Sequence, residues 1–572
     1  MKPTTRAASF ALALLLFVPL GLLADEGKAK RSLSFDRYHR YEAITQELTR
    51  LHRAYPAFTS LSSIGRSWEK RPIWMLTIRN PLTGNDADKA AIYVDGNMHG
   101  NEIQGTEVAL YLARQLLEGY PRSAYIRRLV NERVFYIAPC VNPDGREAFF
   151  RDPNTPHSSR SNRRPRDDDR DGRLDEDGYE DLDGDGEVLQ MRVRDPLGRW
   201  KTGADPREML RCKPDEIGQY RMLGWEGIDN DGDGRINEDP VGGIDLNRNF
   251  PSNWKPEHIQ RGAGDYPLSE PETRAVAEFI LGHRNIAAIQ SFHNAGDMIL
   301  RPPSSQDDRG IPRSDIRLYD ALGRRGERSL PGYRYLQTFK DLYACYGTLV
   351  DWGYMRYGVF TFTNELWSFP SDYNKDGRVS TAERLRWNDE MLEGRAFRKW
   401  KRFRHPQLGD IELGGWVQMA PRIPPGWMLK DVCHRNARFV LYHADMMPQV
   451  TITDLRVFRV GEGDLYRVEA VVENRGRMPT ATARARQTKV SLDDRIVIEG
   501  EAAKVLALSL QGPAPAKPIP VESKRPWRVK LGNLPSQGRQ RVVWLVRGRG
   551  PVMVTLTSQK GGRSVKTVVL GL

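Results

Sequence analysis

Ala90-Ala-Ile-Tyr-Val94, followed by Gly96-Asn-Met-His99-Gly-Asn-Glu102, is the stretch from which the fold can be read. A short continuous apolar run suits a strand buried on both faces. From Glu102 to Leu117, Val108, Leu112 and Leu116 return with helical spacing. His99 and Glu102 then fall between strand and helix, where open α/β sheets place their sites.

The same alternation continues outward. Ser34 to Pro56 has helical spacing at Tyr41, Ile44, Leu48 and Leu51. Strand-like runs occupy 58–64, 72–78, 134–138 and 286–292. Ser269-x-x-Glu272 has the pattern of a capping box opening a helix through Ile280. The predicted fold class is α/β, a mixed, largely parallel sheet flanked by helices over residues 25–447. The stretch 434–445 is helix-like and closes this domain. After Met447 the pattern changes to short alternating runs at 450–457, 465–472, 488–492, 527–531, 542–546 and 552–556, punctuated by Gly, Pro and Asn. Residues 448–572 are therefore expected to form an all-β sandwich.

His293 follows the apolar run 286–292, and Asn364-Glu365-Leu366 ends another. Two histidines and a glutamate, His99, Glu102 and His293, form a candidate zinc ligand set with one position left for water. An HxxE pair alone occurs often by chance, and a lone histidine after a strand is usually structural. The three stretches in this order are much more specific.

Over roughly Phe35 to Ala444 the chain resembles the zinc carboxypeptidase family, the carboxypeptidase A-like peptidases. The resemblance rests on ordered motifs: Gly96 to Glu102, Val141-Asn-Pro-Asp-Gly145, Gly243-Ile-Asp-Leu-Asn-Arg-Asn-Phe250, Ser269 to Thr273, Ser291-Phe-His293, Tyr343, Asp351-Trp352 and Phe362 to Leu366. Carboxypeptidase A is itself a standard example of the His2Glu zinc site. The resemblance implies that His99, Glu102 and His293 bind zinc and that Glu365 is the general base. It implies that Asn247, Arg248 and the mobile Tyr343 dock the substrate's terminal carboxylate. Asp245 would orient a zinc-bound histidine. Arg160 is the expected oxyanion ligand, but the family's preceding Trp is Ser159 here, and Arg163 is a competing assignment. Val350 stands at the pocket base, where an apolar residue implies neutral or hydrophobic C-terminal side chains. No room is left before Phe35 for a folded activation propeptide.

Residues 154–241 are an acidic insertion, with twelve acids between Asp167 and Glu187. DxDxDG patterns occur at Asp167, Asp169 and Asp171, at Asp181, Asp183 and Asp185, and at Asp229, Asp231 and Asp233. A fourth loop, Asp372, Asn374, Asp376 and Glu383, matches the key positions of an EF-hand. Structural Ca²⁺ is expected, with an incomplete or shared shell at the first three loops, which lack a Glu at position twelve. The alternative is a solvated acidic loop.

Residues 1–24 read as a signal peptide: Lys2 and Arg6 precede the apolar stretch 7–23, and Ala24 offers a cleavage point. A retained anchor is the alternative. Export, periplasmic or extracellular, follows. Four cysteines are too few for a disulfide scaffold. Cys140 is expected to be buried, while Cys212, Cys345 and Cys433 could pair. The net charge of +13 is concentrated after Met447, where 22 Lys and Arg face 10 Asp and Glu. That basic module could hold the protein to anionic cell-envelope polymers, or simply present a solvated surface. No motif points to nucleic acid. Three functions stand: an exported metallocarboxypeptidase acting on peptide or protein C-termini, a cell-wall peptidase cutting diamino-acid-containing muropeptides, and a non-catalytic binding scaffold. Export favours the second and Val350 the first. The presence of all three ligands and the base disfavours the scaffold.

Overall fold

A computed structural model describes residues 33–153, 159–368, 372–511, 519–520 and 525–571. The signal-peptide assignment lies outside the described residues. The sheets fall in three regions of the chain. The first has eight strands in the spatial order Thr59–Arg66, Pro72–Ile78, Arg133–Ala138, Ala90–Gly96, Ile286–Asn294, Phe360–Leu366, Met298–Arg301, Arg334–Gln337. The four central strands, 133–138 to 360–366, are mutually parallel, and antiparallel strands extend them on both sides. Ala90–Gly96 and Ile286–Asn294 are buried along their whole length. Continuous apolar runs give this pattern because helices cover both faces. Gln104–Gly119 packs on those central strands, and Pro271–Gly282 packs on Thr59–Arg66.

One expected helix start is corrected. Ser269 and Glu272 form no capping box: the helix begins with Pro271 at its first position and has no side-chain cap. Glu272 instead accepts from the backbone N–H of Trp68 and the amide of Asn162. A tertiary demand on the carboxylate has taken precedence over the local motif. Proline at the first helical position needs no N–H partner.

A second, six-stranded antiparallel sheet was not anticipated. It joins four short strands of the acidic insertion (Gln190–Arg194, Trp200–Thr202, Met209–Arg211, Tyr220–Trp225) to the hairpin Phe397–His405 and Gly409–Trp416. Met191, Ile411 and Leu413 form its small core. Arg192 lies between the rings of Tyr220 and Trp400, 4.1 Å from each centroid, and donates to Glu412.

The region after Met447 is all-β apart from one helical turn. Antiparallel sheets of five and four strands share one core that includes Trp544, Val468, Val472, Ile496 and Val554. The expected strand at 488–492 is absent. The preceding residues form the turn Ala483–Gln487, capped by Thr482, and the strand starts later, at Asp494. Tertiary contacts override β propensity here, because Asp315 accepts the backbone N–H groups of Ala483 and Arg484. This region is braced elsewhere too. Arg133 donates to the carbonyls of Met447 and Pro448, and the buried Lys560 donates to that of Ile286 at 2.8 Å. All four cysteines are free and buried, so Cys212, Cys345 and Cys433 do not pair.

Candidate metal and peptide site

The candidate ligands meet at the carboxyl ends of two neighbouring central strands. His99 and Glu102 follow Ala90–Gly96 in a loop that Asn97 ties together, its amide donating to the carbonyls of His99 and Gly100. His293 lies near the end of Ile286–Asn294. His99 Nδ1 is 2.9 Å from Glu102 Oε1, and His293 Nδ1 is 2.9 Å from Glu102 Oε2. The two Nδ1 atoms are 3.1 Å apart. Tetrahedral zinc with 2.0–2.1 Å bonds sets its donors about 3.3 Å apart, so the spacing fits. The donor chemistry fits as well. Asp245 Oδ1 lies 2.9 Å from His99 Nε2, an acceptor that suits the tautomer with its proton on Nε2 and Nδ1 left as a ligand. The lone pair of Nδ1 is then turned toward a carboxylate and a second imidazole, an excess of lone pairs over protons that a cation satisfies. All three residues are at most 3% exposed.

Glu365 enters from the adjacent parallel strand, in register with His293. Loss of solvation and the nearby Glu102 carboxylate push its pKa up to about 7. Arg160 reaches the same cluster, donating to Glu102 Oε1 at 2.9 Å and Asp245 Oδ2 at 3.2 Å. Gly100 makes this possible, because a Cβ there would lie 2.0 Å from the Ser159 carbonyl oxygen. Arg163 lies elsewhere, facing Glu69 and Asp152 at 3.6 Å. Against the penalty of burial, His99, Arg248 and Arg160 hold Asp245 well below the usual carboxylate range.

Asn247 and Arg248 follow Asp245 in a short turn. The Asn247 amide faces His293 Nε2 at 3.5 Å, and its Oδ1 accepts from the Leu349 N–H. That bond docks the segment carrying Val350, which is buried. Gly347 allows the close approach: it has φ +69°, and a Cβ would sit 2.1 Å from the Arg248 carbonyl oxygen. Tyr343 is 57% exposed, and its phenol lies within the fields of Arg248, Arg160 and Glu365. The candidate set is therefore gathered in one place.

A sequence profile of the zinc carboxypeptidase family matches residues 44–208 and 209–381, more than half of the chain. The chain belongs to the zinc carboxypeptidase family. A second profile, described as a domain of unknown function, matches residues 449–569. Among relatives of this zinc carboxypeptidase family member, mouse (Mus musculus) carboxypeptidase A6 is 25% identical over 353 residues, 59% of this chain and 62% of that protein. The chain thus spans under two thirds of that relative's length. The rat (Rattus norvegicus) carboxypeptidase N catalytic chain is 38% identical over 142 residues, 24% of this chain and 30% of that one. Among solved structures, the carboxypeptidase A of Helicoverpa armigera aligns with a TM-score of 0.45 and 20% identity, over 72% of this chain and 74% of that one.

The acidic loops form carboxylate groups of their own. Carboxylates of the Asp167–Asp171 and Asp229–Asp233 loops converge: Asp169 groups with Asp231, Asp233 and Glu238, and also with Asp171, Glu176 and Asp231. The loop of Asp181, Asp183 and Asp185 is closed at both ends on Glu226, whose carbonyl accepts from the Glu180 N–H and whose N–H donates to Leu189. Glu226 is fully buried, and its Oε1 has no hydrogen-bond partner among the described residues. Burial, with the three aspartates adding like charge, pushes its pKa up to about 7. Lys401 pairs with Asp183 at the mouth of this loop. In the fourth loop, Asp372 and Asn374 accept backbone N–H groups, and Glu383 closes a capping box with Ser380. Asp177 groups with Asp229 and Asp231, and Asp239 with Asp167 and Asp169; like Glu226, both stand outside any DxDxDG pattern and sequence reasoning did not single them out. Arg422, an isolated cation in a Pro-rich turn, also carried no signal, although its guanidinium donates to the carbonyl of Asn294, next to His293.

Proposed function

We propose that this protein is a zinc-dependent metallocarboxypeptidase that removes single residues from peptide or protein C-termini. The observation that carries this reading is the convergence of His99 Nδ1, Glu102 and His293 Nδ1 beside a carboxylate in register with His293. Zinc held there would polarise the scissile carbonyl and acidify water for attack near neutral pH. Glu365 takes the proton that water loses and returns it to the leaving amine. Arg160 offers N–H donors to the developing oxyanion. Arg248 provides a planar cationic fork for the terminal carboxylate, and Asn247 holds it beside the ligands. Tyr343, exposed and flanked by Arg248, is free to close over the bound residue. Val350 supports a preference for neutral or hydrophobic C-terminal side chains. The test is mass-spectrometric digestion of a mixed peptide library by the wild type and by Glu365→Gln. Stepwise single-residue trimming by the wild type alone supports the reading. Trimming by neither overturns it, and preferred release of Lys or Arg overturns the pocket assignment.

Two further roles belong to this reading. Structural Ca²⁺ in the acidic loops is supported by converging carboxylates and by Glu226, a buried acid just after the strand Tyr220–Trp225 that feels the charges of Asp181, Asp183 and Asp185. The basic C-terminal region is proposed to bind anionic envelope polymers. Arg456, Arg539 and Lys530 there are each more than 60% exposed. Salt-sensitive binding of the full chain to such polymers tests this role, and binding that ignores salt rules it out.

A further inference from the structure

One cation at the metal site has no counterpart among the residues already assigned. Arg160 is neutralised by Glu102 and Asp245, and Arg248 stands in the field of Asp245. Arg422 is different. It is exposed, and among the described residues no carboxylate pairs with it. It is nevertheless held in place. Its carbonyl accepts from the Gln104 amide at 2.8 Å and the Asn294 amide at 3.4 Å. One guanidinium nitrogen donates to the Asn294 carbonyl at 2.8 Å. Asn294 in turn directly follows His293, and its N–H donates to Glu102 Oε2 at 3.2 Å. Arg422 is thus one residue removed from two metal ligands, with its Nε and second terminal nitrogen unused by any described residue.

Its position relative to the substrate follows from the rest of the site. Asn247, Arg248 and Tyr343 gather around the Asp245 segment and would take the terminal carboxylate. Arg422 is fastened to the other flank, on the start of Gln104–Gly119 and the end of Ile286–Asn294. A peptide with its C-terminus on Arg248 and its scissile carbonyl at the triad must carry its preceding residues toward this flank. Arg422 also belongs to the charges that act on Glu365.

We propose that Arg422 forms an anion subsite that selects peptides bearing a carboxylate just upstream of the scissile bond, such as a penultimate glutamate. The proposal rests on the carboxypeptidase reading above. A guanidinium offers two parallel N–H donors to a carboxylate, and the two free nitrogens of Arg422 provide them. The neutral isostere of that carboxylate would leave the cation unmatched.

The experiment compares N-blocked Glu-Phe and Gln-Phe peptides as substrates. The wild type should cleave the glutamate peptide with roughly tenfold higher kcat/KM, the size of one charge-assisted hydrogen bond. Arg422→Gln should erase the ratio, Arg422→Lys should retain part of it, and added salt should compress it. Equal ratios in wild type and Arg422→Gln would overturn the proposal. If the wild type cleaves neither peptide, the carboxypeptidase reading fails instead. The subsite is then read from the Kd of both peptides for the zinc-loaded protein, where equal values overturn it and a glutamate preference lost in Arg422→Gln sustains it.

Discussion

Glu365 and His293 lie directly opposite each other on neighbouring parallel strands. A backbone register therefore fixes the distance between the candidate base and a candidate ligand, independently of loops. Glu365→Gln should preserve both strands and the ligand set. It should lower kcat by about 10²–10⁴, the usual worth of a general base, with bound zinc and Tm little changed. Enzyme assay, metal analysis and calorimetry together check this.

The same carboxylate sets a pH dependence. Its pKa is raised to about 7, and the base works only when ionised. Activity should rise with pH through neutrality and fall below it. A pH profile of kcat/KM with no acid limb between pH 5 and 8 contradicts the assignment.

Arg160 and Arg163 make a matched pair for mutagenesis. Arg160→Ala removes donors beside Glu102 and should reduce kcat by about 10²–10³, the loss seen for one oxyanion donor. Arg163→Ala, which faces Glu69 and Asp152, should leave kcat within about twofold, since it reaches no reacting atom. The reverse order of effects would exchange their roles.

Asp315, in the helix Arg313–Ser329, joins the C-terminal region to the rest of the chain. It is 2% exposed and accepts from the Ala483 and Arg484 N–H groups and from the Tyr354 hydroxyl. Asp315→Ala strands three donors and should cost about 2–4 kcal/mol, seen as a lower midpoint in denaturant unfolding.

The acidic insertion should respond to both pH and chelation. Burial foremost pushes Glu226 and Asp239 up to about 7, above their unfolded values near 4. The folded state then holds more protons between those limits, so the stability they contribute is complete at low pH and is lost as pH rises through 7. With EGTA present, Tm should be lower at pH 8 than at pH 5.5, and Ca²⁺ should restore it at pH 8. A Tm indifferent to both pH and Ca²⁺ would leave these loops without structural cations.

Much of this was legible from sequence because the central strands are buried on both faces and read as unbroken apolar runs. Pro72–Ile78 matches its expected bounds. The ligands at strand ends followed from those runs. The six-stranded sheet was hidden because its two parts lie some two hundred residues apart and the four strands of the insertion are short. Glu272 resembled a cap and serves another segment, a choice made only by tertiary contact. The sequence favoured Arg160 but left Arg163 in competition, because the close contact that Gly100 permits with the Ser159 carbonyl is tertiary. Arg422 was invisible for a related reason: its place beside Asn294 depends on Gln104 and Asn294 holding the turn.

The strand that carries His293 is gripped at both ends. Lys560 holds its first carbonyl, at Ile286, and Glu102 holds the N–H of its last residue, Asn294. A chain nicked just after Met447 and then stripped of the region that follows would lose the first grip, and the strand's start would be less firmly held. Such a nick should speed the escape of the metal ion even though every ligand remains. The C-terminal region would then act as a latch on metal residence time, and proteolytic shedding would be a route to slow, irreversible loss of activity.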